Sequence, residues 1–464
     1  MQLQLKISGE HYSLLKDHLF PGDGKEAVAI ALCGRHINKN YHCLYIHDII
    51  LIPYEDCSIR EKDIIRWSTL KIIPFLKRLS KGDFGILKIH CHPTGVNDFS
   101  IQDDISDKEF FDSVFGWSDS TYPHASAIML PNGKIIGRFA FEDLHFEPIS
   151  KISIAGDKIE FFYEIENKNV NPDFAFRTIQ TFGDETYNKL SQLKIAIVGC
   201  SGTGSPVIEQ LVRLGVGELV LIDPNVMEFK NLNRIINSKF SDAEMCKPKV
   251  QVLSEVIKTI GLGTKVKTFQ KNLFDDVEVL KTILRCDIVF GCMDSVDGRF
   301  LLNQLCTFYL LPYFDIGVKL EADGKGGINQ IVASVHYIQP GRSSLITRGM
   351  FDMDDVKASS QYRKCPEEFL ELKKNAYIKN IRVNNPAVIS INMTVASHAI
   401  NDFLNRIHPF KVESPGSYAS STIDITEGYI INSKEEDFEI DYYLKKKSGR
   451  GDMSPFIEMS ELNL

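Results

Sequence analysis

Two α/β units in tandem are what this 464-residue sequence predicts. The first is a sandwich of strands and helices over residues 1–150, and the second is a doubly wound parallel sheet over residues 173–412. Three observations carry this. Residues 1–150 mix short apolar runs with two helical stretches. From about residue 173, continuous apolar runs alternate with helices, as strands covered on both faces do. A glycine-rich turn directly follows the first of those runs. The chain is long enough for two or three domains of ordinary size.

In chain order, strands are expected at Ala27–Cys33, Cys43–Ile52, Gly85–His90, Ala125–Leu130 and Lys134–Phe141, with helices near 61–80 and 103–115. Residues 151–172 read as a linker, closing with the polar stretch EIENKNVNPD. A helix, Phe174–Leu190, leads into the buried-strand run KIAIVG at 194–199. LVLID at 219–223, TKVKTF, CDIVFGC and LPYFDIG are the further strands, and a long helix, Pro386–Ile407, closes the unit. Residues 413–464 form a C-terminal tail with one strand, Gly428–Ile431, an acidic patch and a run of three lysines.

Composition narrows the function classes. A hydrophobic fraction of 44% and a charged fraction of 25% are those of a globular protein. A net charge of −8 argues against generic nucleic-acid binding, which needs a basic surface. No apolar run has the form of a signal peptide or the length of a membrane span. The ten cysteines include no C-x-x-C pair, so a reducing, cytoplasmic setting is expected.

The first chemical signal runs from His90 to Asp103. Residues two apart on a strand share a face, so His90 and His92 can present both imidazoles to one metal. Pro93 and Gly95 turn the chain, and Asp103 at the start of the next helix can supply a third ligand. Two histidines, a carboxylate and a water make a catalytic zinc site. By itself Ser100-x-x-Asp103 is a capping box. The full spacing H-x-H-x7-S-x-x-D resembles the JAMM motif of the JAB/MPN metallopeptidases, deubiquitinases among them. That resemblance implies zinc held by His90, His92 and Asp103. It implies Glu26, just before AVAIALCG, as the proton carrier, and Ser100 as a donor to the oxyanion.

The second signal is Val198-Gly199-Cys200-Ser201-Gly202-Thr203-Gly204. Gly199, Gly202 and Gly204 let the backbone approach a phosphate at a helix N-terminus. Alone this indicates only a nucleotide, with a dehydrogenase the usual reading. Asp223 closes the next strand and can bond a ribose hydroxyl. The residues after it depart from the dehydrogenase pattern: D-P-N-V-M-E-F-K-N-L-N-R, then K-P-K, then Asp294 at a strand end. Over about residues 173–407 this resembles the ThiF/MoeB and ubiquitin-activating-enzyme superfamily, with its Rossmann-like adenylation domain. The resemblance implies that Asn231, Arg234 and Lys247 hold the phosphates of ATP and Asp294 holds magnesium. It implies that Arg177 reaches into the neighbouring subunit of a homodimer. Ser201 and Ser295 depart from the usual residues, and the structural zinc cysteines of the family are missing.

The implied reaction is adenylation of the C-terminal glycine of a ubiquitin-like protein, beside a peptidase that matures or releases it. Such fusions resemble bacterial ubiquitin-like conjugation systems linked to phage defence, where a conjugating enzyme is a further partner. Trimming and activation of a sulfur carrier is the alternative, as is a ubiquitin-like-binding module with one inactive half. Members that form a thioester carry a cysteine after the sheet. Here the one cysteine beyond residue 306 is Cys365, whose neighbours Arg363 and Lys364 would favour the thiolate; the alternative is an exposed, unreactive cysteine, with the adenylate passing directly to an acceptor. Cys91, Cys200, Cys286, Cys292 and Cys306 read as packed.

Overall fold

The computed structural model describes residues 1–79, 84–118, 120–165, 172–322, 325, 327–367, 388–453, 455–459 and 462. They divide into two compact units. One comprises Met1–Glu166, Phe308–Leu310 and Lys446–Asn463; the other comprises Asn167–Thr307 and Leu311–Lys445.

The first unit is built on eleven strands: β1 (Gln2–Ser8), β2 (Val28–Asn38), β3 (Tyr41–Leu51), β4 (Cys57–Arg60), β5 (Ile65–Trp67), β6 (Gly85–Cys91), β7 (His124–Met129), β8 (Ile135–Ala140), β9 (Phe146–Pro148), β10 (Lys151–Ala155) and β11 (Ile159–Tyr163). Its helices are α1 (Gly9–Leu19), α2 (Ile73–Leu79) and α3 (Ile101–Trp117). Nine strands form one mixed sheet in the order β11-β10-β1-β3-β2-β6-β7-β8-β9, and β4 and β5 pair separately. The run VAIALCG of β2 lacks polar alternation because helices cover both faces. Ala29 and Ala31 meet Leu15 and Leu19 of α1. Val28, Ile30 and Leu32 meet Phe75 and Leu79 of α2 and Phe111 of α3. Full burial of each large side chain contributes about 1.5–3 kcal/mol.

Two expectations are corrected here. Of the stretch 61–80, only Ile73–Leu79 is α-helical; β5 and a 3₁₀ turn precede it. Pro74 sits in the first turn of α2, where its missing N–H costs nothing. The stretch read as a linker opens with β10 and β11. β10 pairs in parallel with β1, so residues 151–163 extend the sheet. The polar residues 166–171 lie outside the described residues.

The tail holds two strands, Ser420–Asp424 and Tyr429–Ser433, where one was expected. Residues of 446–459 belong to the first unit. Asp452 accepts from His36 Nδ1 at 2.8 Å and from the Tyr309 hydroxyl at 2.6 Å. The Ser448 carbonyl faces His47 Nδ1 at 2.7 Å.

The second unit contains β12 (Lys194–Val198), β13 (Glu218–Ile222), β14 (Lys265–Phe269), β15 (Ile288–Gly291), β16 (Tyr313–Ala322), β17 (Ile328–Ile338), β18 (Ser420–Asp424) and β19 (Tyr429–Ser433). Its helices are α4 (Phe176–Gln192), α5 (Gly204–Arg213), α6 (Phe240–Glu244), α7 (Lys249–Ile260), α8 (Val277–Leu284), α9 (Val296–Phe308), α10 (Met353–Lys364), α11 (Ile389–Ile407) and α12 (Tyr442–Lys445). The sheet order is β14-β13-β12-β15-β16-β17-β18-β19. β14 to β16 are parallel, as expected. β17, β18 and β19 then add antiparallel, so the sheet is mixed rather than wholly parallel. α4 is broken at Gly183, and the expected helix start at Pro386 lies outside the described residues. Among the described residues no helix is long and apolar enough to cross a membrane.

Candidate functional site

Each unit carries one candidate site. In the first, β6 runs antiparallel to β2, with His90 opposite Val28. His90 and His92 leave β6 on one face. Cys91 leaves on the other, buried as expected, and its thiol donates to the Leu19 carbonyl at 2.9 Å. Glu26 immediately precedes β2, anchored by its N–H to the Glu61 carbonyl at 2.8 Å. Pairing of β2 with β6 therefore brings Glu26 to the histidines, and donor atoms of Glu26, His90 and His92 lie within 4.8 Å of one another.

Asp103 arrives from α3. Ser100 caps that helix, accepting from Asp103 N at 3.1 Å, while Ser100 N and Oγ each donate to Asp103 Oδ2 at 2.7 Å. The carboxylate so held lies 3.1 Å from His90 Nε2 and 3.5 Å from His92 Nε2, and the two Nε2 atoms are 3.2 Å apart. Four ligands about 2.1 Å from a tetrahedral ion stand about 3.4 Å from one another. The donor set therefore fits zinc in both chemistry and spacing. The Val96 carbonyl, 2.8 Å from His92 Nδ1, places the proton there and leaves Nε2 as a lone-pair donor. The Ser100 hydroxyl is committed to Asp103, so in this arrangement it orients the Asp103 carboxylate.

Electrostatics at this cluster are strongly perturbed. Burial pushes the Glu26 carboxyl up to about 7. Burial lowers His90. For His92 burial opposes the cation, but hydrogen bonds to Asp103 and Val96 outweigh it and raise its pKa. Asp103 is also desolvated, yet the two imidazoles hold its carboxyl far below the usual range. A carboxyl poised near neutrality beside a two-histidine, one-carboxylate set is suited to proton transfer.

In the second unit the glycine-rich turn joins β12 to α5. Gly199 has φ +95°, and a Cβ on Gly204 would stand 1.9 Å from the Gly199 carbonyl oxygen, so both positions demand glycine. Asp223, buried after β13, accepts from Cys200 N at 2.8 Å and Asn225 N at 2.9 Å. Asn231 is buried, and its side-chain oxygen accepts from Glu228 N at 3.0 Å. Arg234 reaches the turn; its Cδ would be 3.2 Å from a Cβ on Gly202. Asp294 is exposed just past β15, at the carboxyl edge where open α/β sheets bind ligands.

Two predicted residues, Lys247 and Cys365, have surroundings that differ from the reasoning that selected them. Lys247 is turned into ion pairs with Asp242 at 3.2 Å and Glu255 at 3.3 Å. Lys249, two residues on, is only 6% exposed and has no ion-pair partner among the described residues. Its N–H bonds to the Asn225 carbonyl at 3.1 Å, which ties it to the loop following Asp223. Sequence reasoning missed Lys249, although K-P-K offers both lysines and Pro248 marks the second as the start of α7. Cys365 is exposed at the end of α10, but Arg363 turns to Asp297 at 2.8 Å and stacks over Phe274 at 3.6 Å. That cation is therefore engaged elsewhere. Arg177 is exposed in the first turn of α4 and donates to Gln180 at 3.0 Å. Cys200, Cys286, Cys292 and Cys306 are buried, leaving Cys246 and Cys365 as the exposed cysteines.

The glycine-rich turn, Asp223, Arg234 and Asp294 all lie in one stretch that matches a known family model. Residues 175–332 match the model of the ThiF family. The chain is 26% identical to ubiquitin-like modifier-activating enzyme 5 of Culex quinquefasciatus over 186 residues, covering 38% of this chain and 44% of that protein. It is 29% identical to the SAMP-activating enzyme E1 of Haloferax volcanii over 130 residues, 28% of this chain and 47% of that one. The chain thus spans less than half the length of these two relatives. Among solved structures, Escherichia coli MccB with succinimide aligns at 19% identity and a TM-score of 0.45, over 59% of this chain and 74% of that one.

Proposed function

We propose that the ThiF domain adenylates the C-terminal carboxylate of a ubiquitin-like protein, and that the first unit is a zinc peptidase acting on the same class of protein. The observation that supports adenylation best is Lys249, a buried lysine with no anionic partner among the described residues, whose backbone is tied to the loop following Asp223. A buried ammonium calls for a counter-charge, and a nucleotide phosphate supplies one.

In this reading Asp223 holds the ribose, while Arg234, Lys249 and the α5 N-terminus neutralise the phosphates. Asn231 fixes the loop that carries Arg234. Magnesium, when bound, would offset the negative charge that develops on the triphosphate. Asp294 stands at the sheet edge to hold that ion. The terminal carboxylate attacks the α-phosphate, forming a P–O bond as the bond to pyrophosphate breaks. The chain contributes position and charge rather than a covalent intermediate. Arg177 is exposed, as a residue reaching a second copy's site must be, and this reading includes a homodimer. A thiol that receives the acyl group is Cys365 or, by exposure alone, Cys246; transfer straight from the adenylate needs neither.

In the first unit zinc, when bound, supplies a Lewis acid and a water whose pKa falls to about 7. Glu26 takes up a proton and passes it to the leaving amine. His90, His92 and Asp103 hold the ion, and Ser100 fixes the orientation of Asp103. The substrates are precursors or conjugates of a ubiquitin-like protein.

The test is binding of ATP with MgCl2 to the full chain, followed by pyrophosphate exchange with ubiquitin-like proteins ending in glycine. Wild type binds ATP and exchanges; Asp294→Ala does not exchange. A wild-type chain that binds no ATP ends this reading.

A further inference from the structure

We propose that the side-chain amide of Asn392 is a phosphate-binding donor of the nucleotide site. The inference rests on the nucleotide reading above and adds a residue that lies outside the matched family segment.

α11 packs against α5, the helix opened by the glycine-rich turn. Asn392 lies in the first turn of α11, where its backbone N–H donates to the Val388 carbonyl at 3.1 Å. Its side chain is 3% exposed and ends against Gly202. A Cβ on Gly202 would be 2.4 Å from Asn392 Nδ2 and 3.2 Å from Cγ. The same Cβ would be 3.2 Å from Arg234 Cδ. The amide nitrogen and the arginine stem therefore flank one glycine of the turn.

Asn392 Nδ2 is buried and has no hydrogen-bond partner among the described residues. An amide nitrogen can only donate, and a buried donor without an acceptor is costly to keep. An acceptor arriving with a ligand removes that cost. The ligand must be anionic. The N-termini of α5 and α11 both favour negative charge, and Arg234 adds a full positive charge. Val388, the residue that caps α11, offers no side-chain acceptor of its own. The anion that a glycine-rich turn receives in this reading is a phosphate of ATP. Gly202 gains a second reason for being glycine, because any side chain there would displace the amide.

Asn392→Asp separates binding from packing. It changes shape little but replaces the donor with a negative charge beside the phosphate. Full-length protein is titrated with ATP in MgCl2 and, separately, with adenosine. Asn392→Asp is expected to weaken ATP binding at least about tenfold, and Asn392→Ala about tenfold, the loss of one charge-assisted hydrogen bond. Adenosine affinity and the melting temperature of the Asp variant should stay as in wild type. ATP affinity unchanged in Asn392→Asp overturns the inference while leaving the nucleotide site standing. Equal weakening of ATP and adenosine also overturns it, because the residue would then act through the shape of the site. A wild type that binds no ATP sinks the nucleotide reading itself, and this inference with it.

Discussion

Substituting His92 by alanine tests the metal site through stability, without any need for a substrate. Three protein donors converge, with His90, His92 and Asp103 separated by 3.1, 3.2 and 3.5 Å. Zinc at about 100 times its dissociation constant stabilises the native state by about 2.7 kcal/mol. For a unit of this size each kcal/mol raises the melting temperature by roughly 2–4 °C. Wild-type protein, stripped with a chelator and then titrated with ZnCl2, should therefore gain about 5–11 °C in the melting of the first unit. Losing a ligand costs more than the roughly 10–100-fold in affinity that losing a supporting partner costs. At the same zinc concentration His92→Ala then gains under about 0.4 kcal/mol, a shift of about 2 °C or less. Glu26→Gln should keep the full shift and lose the proposed peptidase activity, since that proposal assigns Glu26 to the proton. Differential scanning fluorimetry with parallel metal analysis reads both. A full shift in His92→Ala, or none in wild type, refutes the site.

The second unit yields further expected outcomes. Gly204→Ala should abolish ATP binding and cost about 1–3 kcal/mol in denaturant unfolding, because its Cβ would stand 1.9 Å from a backbone oxygen. Lys249→Ala should weaken ATP binding by at least about tenfold, and Lys247→Ala by far less, because Lys247 is already paired with Asp242 and Glu255; equal losses would reverse that assignment. Arg363→Met strands the buried Asp297 carboxylate and should lower thermal stability by about 3 kcal/mol, with a loss near zero counting against the pair. Cys365→Ala should bind ATP as wild type does; a loss would place α10 inside the nucleotide site.

The features legible in the sequence were local. His90 and His92 share a face because a strand has period two, and Ser100-x-x-Asp103 is a cap whichever ligand it serves. Asp223 and Asp294 come after apolar runs that could only be strands. The misses are long-range. β10 and β11 are five residues each; β10 becomes a strand by pairing with β1, some 150 positions away, and β11 by pairing with β10, so their short runs looked like connector. β17 mixes polar and apolar residues because only part of it is buried, and β16 gives it its register. Lys247 and Lys249 look alike in K-P-K; carboxylates at 242 and 255 decide which one faces outward. Nothing near Asn392 in sequence marks it. Its meaning comes from a glycine 190 positions earlier.

The first unit borrows its last stretch from far down the chain, with Asp452 bonded to His36 and Tyr309. This bears on the order in which the molecule can be made. A ribosome delivers residues 1–166 long before residues 446–459, so β2 and β3 must wait with one of their polar partners missing. The residues of the second unit, 167–307 and 311–445, are synthesised in between. A gene cut between the two halves would give a front fragment lacking its own closing piece. Workers seeking the first unit in isolation would have to graft residues 446–459 back onto it, and any natural splitting of the pair would have to solve the same problem.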